Sequence, residues 1–200
     1  MRKAPRTLMA MTVVALATPA AAAPDAAMPP AEKRRELALS LLPMGLGRFT
    51  AAPGGMTSTA DAAFSYGVGL HAGYVVWPGL TVGLAPQAFF NVKPKEQAGA
   101  GAQQFDLMLR VAYAVRVVET IALYAELLPG YSLIHPPDGD VAKGPVLGGG
   151  VGAALDLSDQ LFAHFGVGYQ VGFQKLPAKD AGAETRTRYL RVALGLGARF

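Results

Sequence analysis

The sequence predicts an all-β protein: an eight-stranded antiparallel up-and-down transmembrane β-barrel whose apolar face turns outward to lipid. Three observations carry this. Segment after segment alternates apolar with small or polar residues, the period of two that marks a strand. In the second to eighth segments the charges, Asp106, Arg110, Arg116, Glu126, Asp156, Arg191 and Arg199, all fall on the less apolar face, as do His71 and His164. The connections alternate between tight turns and long loops, the arrangement of a barrel that crosses a bilayer.

Composition agrees. Hydrophobic residues make up 52% of the 200, more than a soluble domain needs. Beyond the N-terminus there is no apolar run long enough for a spanning helix. Cysteine is absent, which excludes disulfides and thiolate metal sites. Residues 1–22 read as a secretory signal peptide, with Arg2, Lys3 and Arg6 before an apolar stretch and an Ala20-x-Ala22 cleavage site. Without those three cations, 15 basic residues face 14 acids, so the mature chain offers nucleic acid no electrostatic footing. Residues 23–42 read as a Pro/Ala-rich linker followed, over residues 31–42, by a short helix, because Glu, Lys, Arg, Leu and Ala are helix formers, or else by a disordered leader into the first strand. The barrel is expected over residues 43–200.

The first strand, near Met44 to Thr50, is the least regular, since Arg48 shares the parity of Met44 and Leu46; a bulge would reconcile them. The second carries Phe64, Tyr66, Val68, Leu70 and Tyr74 on one face, and Trp77-Pro78-Gly79 turns it into the third, which ends on Phe90 and Val92. The fourth and fifth pair Phe105 to Val117 with Ile121 to Leu133. Joining Val117 to Ile121 sets Ala112 opposite Glu126 and makes Arg110 a diagonal neighbour of Glu126. An unpaired buried charge is costly, so an Arg110–Glu126 ion pair is expected, joined by Asp106 or Tyr124. The sixth strand is glycine-rich, and Gly148 to Gly152 lacks the lysine and helix of a phosphate loop. The seventh places Phe165, Tyr169 and Phe173 outward. The eighth runs from Tyr189 to Phe200, and its inward Arg191 and Arg199 call for Glu126 or Asp156. Pro86 and Pro129 each remove a ladder donor and suggest bulges.

Phe64, Tyr66, Phe90, Phe105, Tyr131, Tyr169 and Phe173 lie near the long loops, and Tyr74, Trp77 and Phe200 near the short turns, as two interfacial girdles would require. Inward glycines on some strands face Met108, Arg110, Tyr124 and Leu128 on others, so the lumen is expected to be filled by side chains. The sharper alternative is a small water-filled cavity or narrow pore lined by Arg110, Glu126, His71 and His164.

With these features in place, residues 43–200 resemble the small eight-stranded outer-membrane barrels of Gram-negative bacteria, the OmpA-transmembrane-like class. The resemblance implies an exported monomer in the outer membrane, contact with membrane lipids and lipopolysaccharide, and an assembly signal in Tyr189, Leu194, Leu196 and Phe200 read by the barrel-assembly machinery. It implies a structural or surface-interaction role, with no catalysis, cofactor or metal. Loop cations Lys93, Lys95, Lys143, Lys175, Lys179, Arg186 and Arg188 are candidates for lipopolysaccharide phosphates. A narrow channel or small-ligand carrier is the alternative. A lipid A-modifying enzyme, as some barrels of this size are, would need a trio such as Ser132, His135 and Asp138.

Overall fold

A computed structural model describes residues 35–44, 47–52, 58–175 and 184–200. The signal peptide and the linker up to residue 34 lie outside the described residues, as does Lys179. The strands are β1 (Arg35–Met44), β2 (Gly47–Ala52), β3 (Ser58–Asp61), β4 (Ser65–Trp77), β5 (Leu80–Leu84), β6 (Gln87–Val92), β7 (Ala102–Val118), β8 (Ile121–His135), β9 (Ala142–Asp156), β10 (Leu161–Lys175) and β11 (Glu184–Arg199). All pairings are antiparallel, and β1 pairs with both β4 and β11, which closes the sheet. β2 prolongs β1 along β11, β3 lies beside β2 ahead of β4, and β5 and β6 together form one wall between β4 and β7. The ring therefore has eight walls.

Closure follows from the solvent. Hydrocarbon supplies no backbone partners, so a sheet in lipid must leave no edge. The side chains sort accordingly. On β7, Gln104, Asp106, Met108, Arg110 and Ala112 are buried, while Phe105, Leu107, Leu109 and Tyr113 are exposed. The exposed large hydrophobics run round the wall, from Leu39 through Leu70, Leu127 and Val151 to Leu196. The polar face is inside and the apolar face outside, the inverse of a soluble barrel. All the girdle aromatics point outward; Phe90 is half-buried against Tyr66, with ring centroids 5.7 Å apart.

Several expectations are corrected. The first strand, Arg35–Met44, begins inside the stretch read as linker and helix, so the barrel begins before residue 43. Its helix formers yield because both neighbouring edges need a partner: β1 pairs with β4 over ten residues and with β11 over six. Its alternation is then regular in space, with Leu37, Leu39 and Leu41 exposed and Ala38, Ser40 and Leu42 buried. Of the stretch expected as the first strand, Met44 ends β1 and residues 47–50 belong to β2. Between Leu41↔Leu194 and Gly47↔Tyr189 the first wall advances six residues and its partner five, the one-residue excess of a bulge. Arg48 thus faces outward, at the long-loop rim, bonded to Asp61. Val92 is buried rather than outward, because the register shifts between Phe89 and Val92, where Asn91 adopts φ 60°. Val118, not Val117, pairs with Ile121, through a second shift at the end of β7. Pro86 and Pro129 cause no shift: Gly69↔Gln87 and Ala72↔Leu84 keep one register, as do Met108↔Gly130 and Val111↔Leu127.

Val151 is 64% exposed at mid-strand on the outer wall. Val151→Arg should destabilise the barrel by about 2–4 kcal/mol in urea titrations from lipid vesicles, the cost of a cation in hydrocarbon. A variant as stable as the parent would mean this wall is not in lipid.

Candidate functional site in the barrel lumen

The inward face of a closed barrel concentrates every polar side chain that the strands carry, and burial obliges them to pair. At mid-height four charges from four strands converge. Arg110 on β7 donates from Nε to Glu126 on β8 (2.8 Å) and from Nη1 to Glu36 on β1 (2.9 Å). Arg191 on β11 donates to the other oxygen of Glu126 at 2.5 Å. The side chains of Arg110, Arg191, Glu36 and Glu126 are each about 5–11% exposed, and two acids balance two guanidiniums. Tyr124, on β8, lies 5.6 Å from the Arg110 guanidinium and donates to the Phe165 carbonyl. Beside this cluster His71 and His164 stack edge-on at 5.5 Å, and His164 shares a hydrogen bond with Ser40. His71 Nε2 stands 3.8 Å from Glu36.

A second charged layer closes the short-turn end. Asp156 on β9 accepts from Arg199 on β11 (2.5 Å) and from Arg116 on β7 (2.8 Å), and Arg199 lies 4.5 Å over the Phe162 ring. Arg116 is half exposed and belongs to the rim more than to the lumen. This mouth is a vestibule of about 810 Å³ whose lining includes Glu36, Arg116, Asp156 and Arg199.

Toward the long loops the chemistry changes to amides. Asp106, fully buried, accepts from Gln104 (2.9 Å to each oxygen) and from Gln170 across the lumen (2.5 Å). Tyr189 donates to Gln104, and Thr187 donates to Gln174. Leu42, Phe89, Val92 and Tyr189 pack above this layer. Glycines make the room: a Cβ at Gly152 or Gly166 would collide with Tyr124, at Gly195 with His164, and at Gly197 with Phe162. The space left beside the central cluster, bordered by His71, Arg110, Glu126, His164 and Arg191, is about 10 Å³, room for one water.

Arg110 and Glu126 meet as the hairpin register requires, and Arg191 and Arg199 reach the acids at their own heights. Asp106 does not join them; it sits in the separate amide layer. Glu36 takes that place, unforeseen because residues 31–42 read as a helix. Gln104, Gln170 and Gln174 share the parity of the interior residues, but their meeting across the lumen depends on barrel diameter, which no local pattern encodes. Ser132 and His135 cannot cooperate: Ser132 is buried inside, while His135 faces out against Phe105 at 5.8 Å. Of the assembly-signal residues, Tyr189 faces the lumen, whereas Leu194, Leu196 and Phe200 face outward. Among the described residues, no group of three or more His, Asp or Glu is placed to hold a metal ion.

Glu126→Ala strands Arg191 and half-strands Arg110, so it should cost about 3–5 kcal/mol. In a double-mutant cycle with Arg191→Met, equilibrium unfolding should show strong coupling; additive costs would mean the two do not interact.

No protein-family model matches the sequence, and neither does any curated protein. Similarity appears in solved structures. Outer membrane protein OprG from Pseudomonas aeruginosa superposes with a TM-score of 0.59 at 16% identity, over 84% of this chain and 97% of that one. Neisserial surface protein A (NspA) gives 0.54 at 13% identity, over 83% and 97%. The outer membrane protease OmpT from Escherichia coli gives 0.52 at 9% identity, over 88% and 100%. Identities this low speak to architecture alone, and the architecture is specific: polar lumen, apolar outer wall, and a sheet closed by β1 and β11. The chain has the fold of the small eight-stranded outer-membrane β-barrels of Gram-negative bacteria.

Proposed function

We propose that the chain is exported by its N-terminal signal and acts in the outer membrane as a monomeric, non-enzymatic barrel with a structural or surface-interaction role. The observation that carries this is the filled lumen. Arg110, Glu126, Glu36 and Arg191 link four strands across mid-height and leave about 10 Å³ beside them, so the interior serves to hold the wall together. Its long loops and outward rim then remain for contacts outside the cell. The separation of Ser132 from His135 argues against hydrolysis at the rim. The outward Leu194, Leu196 and Phe200 suit a strand that an assembly machinery grips from its lipid side before closure.

One observation favours a second reading, a narrow channel. The vestibule of about 810 Å³ at the short-turn mouth leads toward a lumen lined with charges rather than leucine. Conductance separates the two. Purified protein in a planar bilayer should give no steady unitary steps. Uniform steps that vanish in Arg110→Ala would replace the structural reading by the channel.

A further inference from the structure

Between the central charges and the long loops, one buried carboxylate lacks a cation. Asp106 on β7 is 2% exposed, and its hydrogen-bond donors are amides: Gln104 reaches both oxygens and Gln170 one. Among the described residues it forms no ion pair. Met108 stands between it and Arg110 along β7, and Arg110 is committed to Glu126 and Glu36. Apolar clusters close the layer on both sides. Met108, Leu128 and Val146 pack toward the centre, and Leu42, Phe89 and Tyr189 toward the loops. Amide hydrogens on both oxygens suit the ionised form, because a carboxylic acid would have to donate a hydrogen of its own. Neutral donors satisfy the oxygens of Asp106 without balancing its charge, and burial makes that imbalance costly.

A surplus of oxygen faces the same level. Gln87 on β6 and Ser132 on β8 stand directly opposite Asp106, one on each side, and both are buried in the lumen. Gln170 brings its amide from the far wall to 2.5 Å from Asp106. Gln87 Oε1, Gln170 Oε1 and Ser132 Oγ are buried and receive no hydrogen bond. Buried polar atoms in that state are uncommon, and each is destabilising. The unbonded donor of this layer, Gln174 Nε2, belongs to a residue four positions nearer the loops, about 13 Å along β10. Four strands therefore turn one carboxylate and three neutral oxygens to one level.

We propose that Asp106, Gln87, Gln170 and Ser132 hold a dehydrated monovalent alkali cation, an internal staple between β10 and the wall formed by β6, β7 and β8. Donors that are all oxygen select a hard cation. A single carboxylate balances a single positive charge, whereas a divalent ion would leave one charge over in an apolar surround. A bare sodium ion is smaller than a water molecule, so it suits a layer packed between two apolar clusters. The proposal rests on the closed, filled lumen and not on any role of the loops.

The test uses the full barrel refolded into detergent micelles in sodium chloride or in choline chloride of equal ionic strength, so that a sealed site loads during folding. Equilibrium dialysis against radioactive sodium should find a single retained ion per barrel, and the urea midpoint should be higher in sodium than in choline. Asp106→Asn should lose both effects. Gln87→Met removes an oxygen that receives no hydrogen bond, so it should fold and retain sodium about tenfold more weakly. Asp61→Asn, at the rim, should behave as wild type. No retained sodium, equal retention by Asp106→Asn, or a wild-type midpoint that is the same in both salts would overturn the proposal. Calcium displacing sodium at equal concentration would overturn the monovalent assignment. An infrared carboxylic acid band in wild type that vanishes in Asp106→Asn would put a proton in place of the ion and overturn it as well. Heat-modifiable gel mobility checks the folding of each variant, and Gln87→Met carries the comparison if Asp106→Asn does not fold. Steady conductance steps would sink the filled-lumen reading, whereas a silent, heat-modifiable barrel that ignores sodium sinks only this proposal.

Discussion

The structure depends on one constraint: a sheet in hydrocarbon must satisfy every backbone donor and acceptor within itself. The seam between β1 and β11, from Glu36↔Arg199 to Leu41↔Leu194, meets it by joining the first wall to the last. Once the sheet closes, side-chain facing is settled. Leu39, Leu41, Leu194 and Leu196 on either side of the seam turn to lipid, and Ser40 and Ala38 turn inward. Closure also brings Glu36 into the lumen, where it reaches Arg110 on the far wall. The seam and the central charge cluster therefore form together, and each protects the other.

Inside, the problem becomes one of volume and charge. Eight strands enclose a space that side chains nearly fill. Here the filling is complementary: Tyr124 occupies the gap left by Gly152 and Gly166, Phe162 that of Gly197, and Phe89 that of Gly67. The charges are layered rather than scattered. Two acids balance two guanidiniums at the centre, and one acid bridges two guanidiniums at the short-turn mouth. A layer of amides around Asp106 lies above. A buried charge is tolerable only when paired or fully hydrogen-bonded: the two charged layers meet that demand with ion pairs between strands, and the third with amide hydrogen bonds to Asp106.

Much of this is legible in the residues alone. On strands that face lipid on one side and a polar lumen on the other, a single charge reveals the facing of the whole strand, and Asp106, Arg110 and Arg116 do so together for β7. The Arg110–Glu126 contact follows from hairpin register, which is local. What stays hidden has physical reasons. Residues 35–42 are mostly helix formers, and only the two open edges beside them make a strand the better state. Glu36 disappears from view with that strand. Val92 turns inward because a shift beside Asn91 swaps parity, and one extra residue in the first wall reverses the facing of Arg48. The amide layer joins β7, β10 and β11 across the lumen, a distance set by strand number and tilt rather than by any segment's own pattern.

Everything inside the barrel follows from the seam, and the seam can be tested directly. The chain has no cysteine, so introduced pairs report cleanly. Leu39 and Leu196 are directly opposed across β1 and β11, and opposed residues in an antiparallel pair fall within disulfide range. In membrane-inserted protein, Leu39→Cys/Leu196→Cys should form an intramolecular disulfide under mild oxidation, while Leu39→Cys/Leu107→Cys should not. A folded, heat-modifiable barrel in which the 39/196 pair stays reduced would show that residues 35–44 do not close the sheet.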